Sequence, residues 1–104
     1  MSIMVPPPSM IDGADVMLYL SLSKANEPTE ALASILDGWS DAPPAALAIT
    51  GYTVAQGVQL VVCDREWRTL GDSYHPGVAE AKAAASALFS GISEGSWCEP
   101  ARLP

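Results

Sequence analysis

The sequence predicts an α+β fold: a two-layer sandwich in which two helices cover one face of a mostly antiparallel, four-stranded sheet. Several short segments alternate apolar and polar residues, which is typical of strands, and two others repeat apolar residues at helical spacing. These segments follow the order β-α-β-β-β-α along 104 residues, a usual length for one domain. We expect a flexible, proline-rich leader over residues 1–13, the α+β domain over 14–98 and a tail over 99–104.

The first strand is predicted over residues 14–22, where apolar residues occupy every second position. Its buried face would carry Val16, Leu18, Leu20 and Leu22, and its other face Met17, Tyr19 and Ser21. This alternation predicts one face against the core and one face turned away from it.

The first helix is predicted to begin at Pro28, because proline suits the first helical turn, with Asn26 or Glu27 as its cap. Its apolar face would consist of Ala31, Leu32, Ile35, Leu36 and Trp39. Asp37-Gly38 is expected to end it, since glycine readily adopts the left-handed conformation that follows many helices.

Three further strands are predicted between residues 45 and 70, as an antiparallel meander. Leu47 and Ile49 alternate with smaller residues in the first of them, which is expected to reach Val54. The second strand carries Val58, Leu60 and Val62, after a short turn in which Gly57 can adopt a positive φ. A tight connection at Asp64-Arg65 would lead to the third strand, residues 66–70.

The second helix is predicted over residues 76–91, where proline suits the first turn and the alanine-rich body has high helix propensity. Its inward face would carry Val78, Ala81, Ala85, Leu88 and Ile92, with Phe89 beside them. Trp97 lies in the polar segment that follows, and we expect it to pack back on the domain.

The charge is acidic and unevenly placed. The chain has 12 acidic and 5 basic residues, a net charge of −7, and residues 1–62 hold six of the acids against Lys24 alone. Such a field repels nucleic-acid phosphates and anionic lipid, and it attracts basic proteins. We therefore expect a basic protein partner, with no direct binding to nucleic acid and no association with a membrane.

No segment of the sequence predicts export or membrane insertion. The N-terminus lacks a basic segment followed by an apolar one, and no apolar run approaches the ~20 residues that span a bilayer. The two cysteines, Cys63 and Cys98, are too few for a disulfide framework. The expectation is a cytoplasmic protein in which both thiols are reduced.

No group of residues specifies catalysis or cofactor binding. The one histidine, His75, is expected to cap or precede the second helix. A thiol dyad of Cys63 with His75 is conceivable, although a cysteine within a strand pattern is typical of a small core residue. Neither metal-ligand spacing nor a glycine-rich phosphate loop occurs. We predict a non-enzymatic protein with no metal and no cofactor.

Two stretches resemble known families. The order α-β-β-β-α with an alanine-rich last helix, EAKAAASALFSGI, is similar to that of a double-stranded RNA-binding domain. That fold grips phosphate through a lysine cluster at the start of its last helix, whereas residues 75–82 here contain one lysine and one glutamate. The stretch GVAEAKAAASALFSGISEGSW resembles the end of some bacterial toxin-immunity proteins.

The favoured function is that of a small acidic binding protein that inhibits a basic protein target, of the toxin-immunity or phage anti-defence type. The candidate partner-binding acids are Glu27, Glu30, Asp37 and Asp41. The alternative is a structural or accessory protein, without catalysis, that forms a homodimer through the uncovered face of its sheet. The patch on that face would comprise Met17, Tyr19, Thr50, Tyr52, Val61 and Cys63, with Tyr19 and Tyr52 as candidate contacts.

Overall fold

The computed structural model describes residues 8–11, 13–23, 26–35, 43–51 and 56–99. These residues form one antiparallel sheet of five strands, which neighbour one another in the order in which they follow along the chain. The strands are β1 (Met10–Ile11), β2 (Ala14–Ser21), β3 (Ala46–Gly51), β4 (Val58–Cys63) and β5 (Thr69–His75). One α-helix, α1 (Val78–Leu88), and two 3₁₀-helices, Glu30–Ser34 and Glu94–Ser96, accompany them.

The predicted α+β class is confirmed, but the count of four strands and two α-helices is wrong for the described residues. The additional strand is β1, which lies in the segment assigned to the leader and pairs with the start of β2. The predicted first helix is a short 3₁₀-helix, Glu30–Ser34. Its apolar residues Leu32 and Ile35 still pack on the main core. Leu36, Trp39 and the expected helix end at Asp37-Gly38 lie outside the described residues.

The main core lies between the sheet and two helical segments, α1 and the 3₁₀-helix Glu30–Ser34. Both lie on the same face of the sheet, as expected. The strands contribute Leu20, Leu47, Ile49, Val58, Leu60, Val62 and Leu70 to it, and none of these residues exceeds 8 % exposure. Ala81, Ala85 and Leu88 of α1 are buried against them, with Phe89 just after the helix. Two of these three inward residues of α1, Ala81 and Ala85, are small and fully buried. The predicted inward face of this helix is therefore confirmed.

A β-bulge in β2 overturns the predicted alternation of that strand. Val16 is opposite Thr50 and Leu18 is opposite Ile49, so Met17 is an extra residue. An extra residue reverses the faces on which the following side chains lie. Leu18 consequently packs on the main core with Leu20, whereas Val16 belongs to a second cluster on the opposite face of the sheet.

The second cluster covers the face that was expected to be open. Its buried members are Ile11, Val16, Ala46, Ala48, Val61, Cys63 and Trp67, and Tyr19 packs against them. Ile11 comes from β1 and Trp67 from the connection between β4 and β5. Residues from both sides of β3 therefore pack in one cluster with the small alanines of that strand. The expectation that Thr50, Val61 and Cys63 face solvent or a partner is wrong, because each is at most 2 % exposed.

The last strand begins later than predicted. Residues 64–68 form a turn in place of the start of the predicted strand 66–70, and β5 runs from Thr69 to His75. His75 is therefore a strand residue opposite Val58, and Gly77 occupies the N-cap of α1 where His75 was expected. The polar residues of β5 concealed the strand, since its outer half alternates Ser73 and His75 with other polar or aromatic side chains.

Two segments of the chain lie along the outer edge of β2. Ser9 accepts a hydrogen bond from the Val16 amide at 2.9 Å, next to the pairing of β1. Further along β2, Tyr19 and Cys98 exchange two backbone hydrogen bonds of 2.9 and 2.8 Å. Trp97 packs on the main core beside this contact, as predicted. No helix among the described residues is long and apolar enough to cross a membrane.

Candidate partner-binding surface

The segment that carries Glu27 is held on the C-terminal end of α1. Residues 26–29, here called the capping segment, run antiparallel to residues 87–90, with Pro28 opposite Phe89. Ser90 donates its amide hydrogen to the Glu27 carbonyl at 2.9 Å, and its hydroxyl accepts from the Glu27 amide at 3.0 Å. These reciprocal bonds fix the backbone of Glu27 relative to the helix.

The capping segment also satisfies carbonyl groups that the helix leaves without an intrahelical partner. Thr29 donates its amide to the Leu88 carbonyl at 2.8 Å and its hydroxyl to the Ala87 carbonyl. The side-chain amide of Asn26 donates to the Ser90 carbonyl at 2.8 Å. The last carbonyls of a helix need such partners, and a distant segment of the chain supplies them here.

Glu27 therefore lies in the segment that is held at the negative end of a helix, and Glu30 directly follows that segment. Both residues are exposed, and neither carboxylate makes an ion pair with a described residue. The last turn of α1 contains no basic residue. Since the C-terminal end of a helix carries a partial negative charge, the helix adds to the potential of the two carboxylates and does not oppose it.

Two of the predicted acids and one of the tyrosines cannot be placed in this geometry. Asp37, Asp41 and Tyr52 lie outside the described residues. Tyr19 is half-buried on the second face of the sheet, so the structure does not bring it together with Glu27 and Glu30. Its ring contacts Trp67 and its backbone is paired with Cys98, which makes it a packing residue of the domain. Self-association through the sheet stays a prediction. The second face of the sheet exposes less apolar surface for it than expected, because most of that face is buried.

The acids of the β4–β5 turn have structural partners. The Asp64 carboxylate is nearly buried and accepts two backbone hydrogen bonds within the turn. Glu66 forms an ion pair with Arg68, and this hydrogen-bonded carboxylate raises the pKa of the Arg68 guanidinium. The negative charge of this turn is therefore partly neutralised, whereas no described residue forms an ion pair with Glu27 or Glu30.

The structure keeps Cys63 and His75 apart. Cys63 is buried in the second cluster, whereas His75 lies opposite Val58 on the face of the main core. Val58 and Cys63 are the two ends of β4, so roughly 16 Å of strand also separates the two side chains. A thiol–imidazole dyad would need direct hydrogen-bond contact, and this arrangement does not provide it.

His75 instead contacts a serine on its own strand. The Ser73 hydroxyl and the His75 Nε2 are 2.7 Å apart, as neighbours on one face of β5. In a catalytic triad an acid holds the other ring nitrogen, and no described residue hydrogen-bonds to His75 Nδ1. Asp72, the adjacent acid, is opposite Val61 and so belongs to the other face of the sheet. The pair is therefore a local contact within a strand.

A groove of about 490 Å³ opens beside the capping segment. Its lining is mostly apolar and comes from four parts of the chain: Leu22 and Ser23 after β2, Asn26 and Pro28 in the capping segment, Pro43 and Pro44 before β3, and Phe89 after α1. We call it the proline groove. Sequence reasoning missed it, because only the folded chain brings residues 26–29 and 43–44 next to Phe89.

Among the described residues, no group of three or more histidines, cysteines, aspartates or glutamates is placed to hold a metal ion. Comparison with protein-family models, with curated proteins and with solved structures finds no match to this chain.

Proposed function

We propose that the protein is a non-enzymatic binding protein that inhibits a basic protein target, of the toxin-immunity or phage anti-defence type. The observation that carries this proposal is the exposed pair Glu27 and Glu30 beside the C-terminal end of α1, neither of which forms an ion pair with a described residue. An inhibitor of a protein that handles nucleic acid can present carboxylates where that protein would otherwise bind phosphates.

The way in which the backbone is held supports a binding role for this surface. Four hydrogen bonds from Asn26, Glu27 and Thr29 join the capping segment to the end of α1, and a fifth returns from Ser90. A carboxylate on a fixed backbone loses less conformational freedom on binding than one on a mobile loop. The surface therefore combines negative potential with a preorganised backbone.

The arrangement is also electrostatically unfavourable for the protein alone. A carboxylate near the C-terminal end of a helix costs stability, typically about 0.3–1 kcal/mol at an exposed position. A basic partner would relieve this repulsion in the complex. Binding should therefore be tighter than a count of surface charges predicts, and it should weaken as salt rises.

The test compares two charge reversals of equal size. Glu27→Lys with Glu30→Lys changes the proposed surface, and Asp72→Lys with Glu99→Lys changes the net charge equally at exposed positions elsewhere. A partner is captured from the native host with the immobilised wild-type protein and purified. Its affinity for each variant is then measured by calorimetry at low and high salt, and its own activity is assayed with and without the protein.

We expect the Glu27/Glu30 variant to lose most of the affinity, and the control to retain it apart from a small uniform loss. We also expect the wild-type protein to inhibit the partner. Equal losses in the two variants, or wild-type affinity that does not depend on salt, would overturn the electrostatic surface. A captured partner whose activity is unchanged would overturn inhibition.

A further inference from the structure

We infer that the proline groove receives an aromatic side chain of the basic partner, and that this side chain is flanked by arginine or lysine. The inference rests on the proposed function and names the chemistry by which the partner is anchored. It comes from two neighbouring features: an apolar groove with rigid walls, and two exposed acids, Glu27 in the capping segment that forms one of those walls and Glu30 directly after it.

The groove has the size and lining of a site for a large apolar group. Its volume of about 490 Å³ falls within the range typical of pockets that bind small organic ligands. Pro28, Pro43 and Pro44 form its walls, and Phe89, which is 2 % exposed, lies in its lining. Proline has a fixed φ, so these walls need little ordering when a side chain enters.

Both polar residues in the lining, Ser23 and Asn26, form hydrogen bonds within the chain. The side chain of Asn26 donates to the Ser90 carbonyl, and its oxygen accepts from the Ser23 amide at 3.0 Å. These bonds fix the rim of the groove and leave the amide of Asn26 little capacity for a ligand. The groove therefore favours an apolar or aromatic group over a polar one.

The negative charge near the groove favours basic residues on either side of this aromatic group. Pro28, which forms one wall, directly follows Glu27 in the sequence and precedes Glu30 by two positions, and both acids are exposed. Phe89 follows the last residue of α1, which adds the negative end of the helix to the same region. An aromatic residue between two cations complements both features, and tryptophan and arginine are the residues that most often anchor protein interfaces.

The experiment uses three short peptides with blocked ends as probes: Arg-Trp-Arg, Arg-Ala-Arg and Glu-Trp-Glu. Each is titrated into the full-length, isotope-labelled protein, and binding is followed by two-dimensional NMR. We expect Arg-Trp-Arg to shift the signals of Leu22, Asn26 and Phe89 and to bind at least about tenfold more tightly than either other peptide. Equal binding of Arg-Ala-Arg would show that the groove adds nothing to the acidic surface and would overturn the inference.

Equal binding of Glu-Trp-Glu, shifts centred on another surface, or no binding of any peptide would overturn it as well. A matched pair of variants locates the site. Ser23→Trp places an indole at the rim of the groove, and Ser86→Trp places one at an exposed position on α1. We expect Ser23→Trp to weaken Arg-Trp-Arg binding by about tenfold and Ser86→Trp to leave it unchanged.

The two proposals fail separately. If the Glu27/Glu30 reversal abolishes binding of the natural partner while Ser23→Trp does not, the acidic surface stands and the groove is excluded. If neither change affects the natural partner, both are excluded. Thermal unfolding of each variant shows that a loss of binding does not come from a loss of folding.

Discussion

The indole of Trp67 meets the ring of Tyr19 edge-on, with 5.8 Å between the ring centroids and 81° between the planes. Trp67 reaches this position from a turn in which its φ is 65°. Residues other than glycine rarely adopt this backbone conformation. Glycine would occupy this position without strain. The strain is offset by burial, because the indole covers the second face of the sheet and is 6 % exposed.

Two substitutions at Trp67 should separate burial from strain. Trp67→Ala loses the buried indole but keeps the unfavourable backbone, and we expect a loss of about 3–5 kcal/mol in the free energy of unfolding. Trp67→Gly loses the same side chain but relieves the backbone, so it should be about 1 kcal/mol more stable than Trp67→Ala. Urea unfolding followed by circular dichroism measures both. A glycine variant that is less stable than the alanine variant would contradict the role of strain.

The same turn depends on one carboxylate oxygen. The Asp64 Oδ1 accepts the amide hydrogens of Glu66 at 2.8 Å and of Arg68 at 2.9 Å. Asp64→Ala removes the acceptor from both and should cost about 1–3 kcal/mol, whereas Asp64→Asn keeps an oxygen in the same place and should cost clearly less. The measurement is again the free energy of unfolding. Equal losses would indicate that charge, and not the two hydrogen bonds, makes Asp64 important.

This turn also explains why the end of the sheet was predicted wrongly. Trp67 followed by Arg68 is compatible with a strand, and no neighbouring residue in the sequence indicates a positive φ at Trp67. Only the folded turn shows that Asp64 organises the backbone and that the strand starts at Thr69. The bulge at Met17 was hidden for a related reason, because a bulge is defined by the partner strand and leaves no pattern in its own sequence.

Where local pattern and tertiary packing agree, prediction succeeded. β4, Val58–Cys63, is the strand predicted from Val58, Leu60 and Val62, and the inward face of α1 follows from helical spacing. The candidate surface was accessible only in part. Glu27 and Glu30 stood out by charge, but the helix end beside them depends on a contact between residues 63 positions apart along the chain.

Charge reversal at Glu27 should stabilise the isolated protein even though it weakens binding. A lysine beside the C-terminal end of α1 interacts favourably with the helix dipole, so Glu27→Lys should raise the free energy of unfolding by about 0.3–1 kcal/mol at low ionic strength. Glu27→Gln should give a smaller gain, and both gains should shrink as salt rises. Unfolding experiments at several salt concentrations measure this. A destabilised Glu27→Lys variant would contradict the electrostatic account of the surface.

Thr29 should be sensitive to loss of its hydroxyl. This group donates to the Ala87 carbonyl and helps to hold the capping segment on α1. Thr29→Val keeps the shape but leaves the carbonyl without that donor, and we expect a loss of about 0.5–1.5 kcal/mol. Thr29→Ser retains a hydroxyl and serves as the control. Faster amide exchange at Glu27 and Ser90 in the valine variant alone would show that the segment has loosened.

The same threonine-to-valine substitution at Thr50 should have the opposite effect on the free energy of unfolding. Thr50 is 1 % exposed, and its buried hydroxyl oxygen forms no hydrogen bond with any residue that the structure describes. A buried, unpaired hydroxyl costs free energy, and valine has nearly the same shape without it. Thr50→Val should therefore stabilise the protein by about 1–2 kcal/mol, measured by urea unfolding beside Thr29→Val. Since both changes replace a hydroxyl by a methyl group on a β-branched side chain, any difference in sign comes from the partner that the hydroxyl has or lacks. A loss of stability in Thr50→Val would mean that the oxygen is hydrogen-bonded in solution.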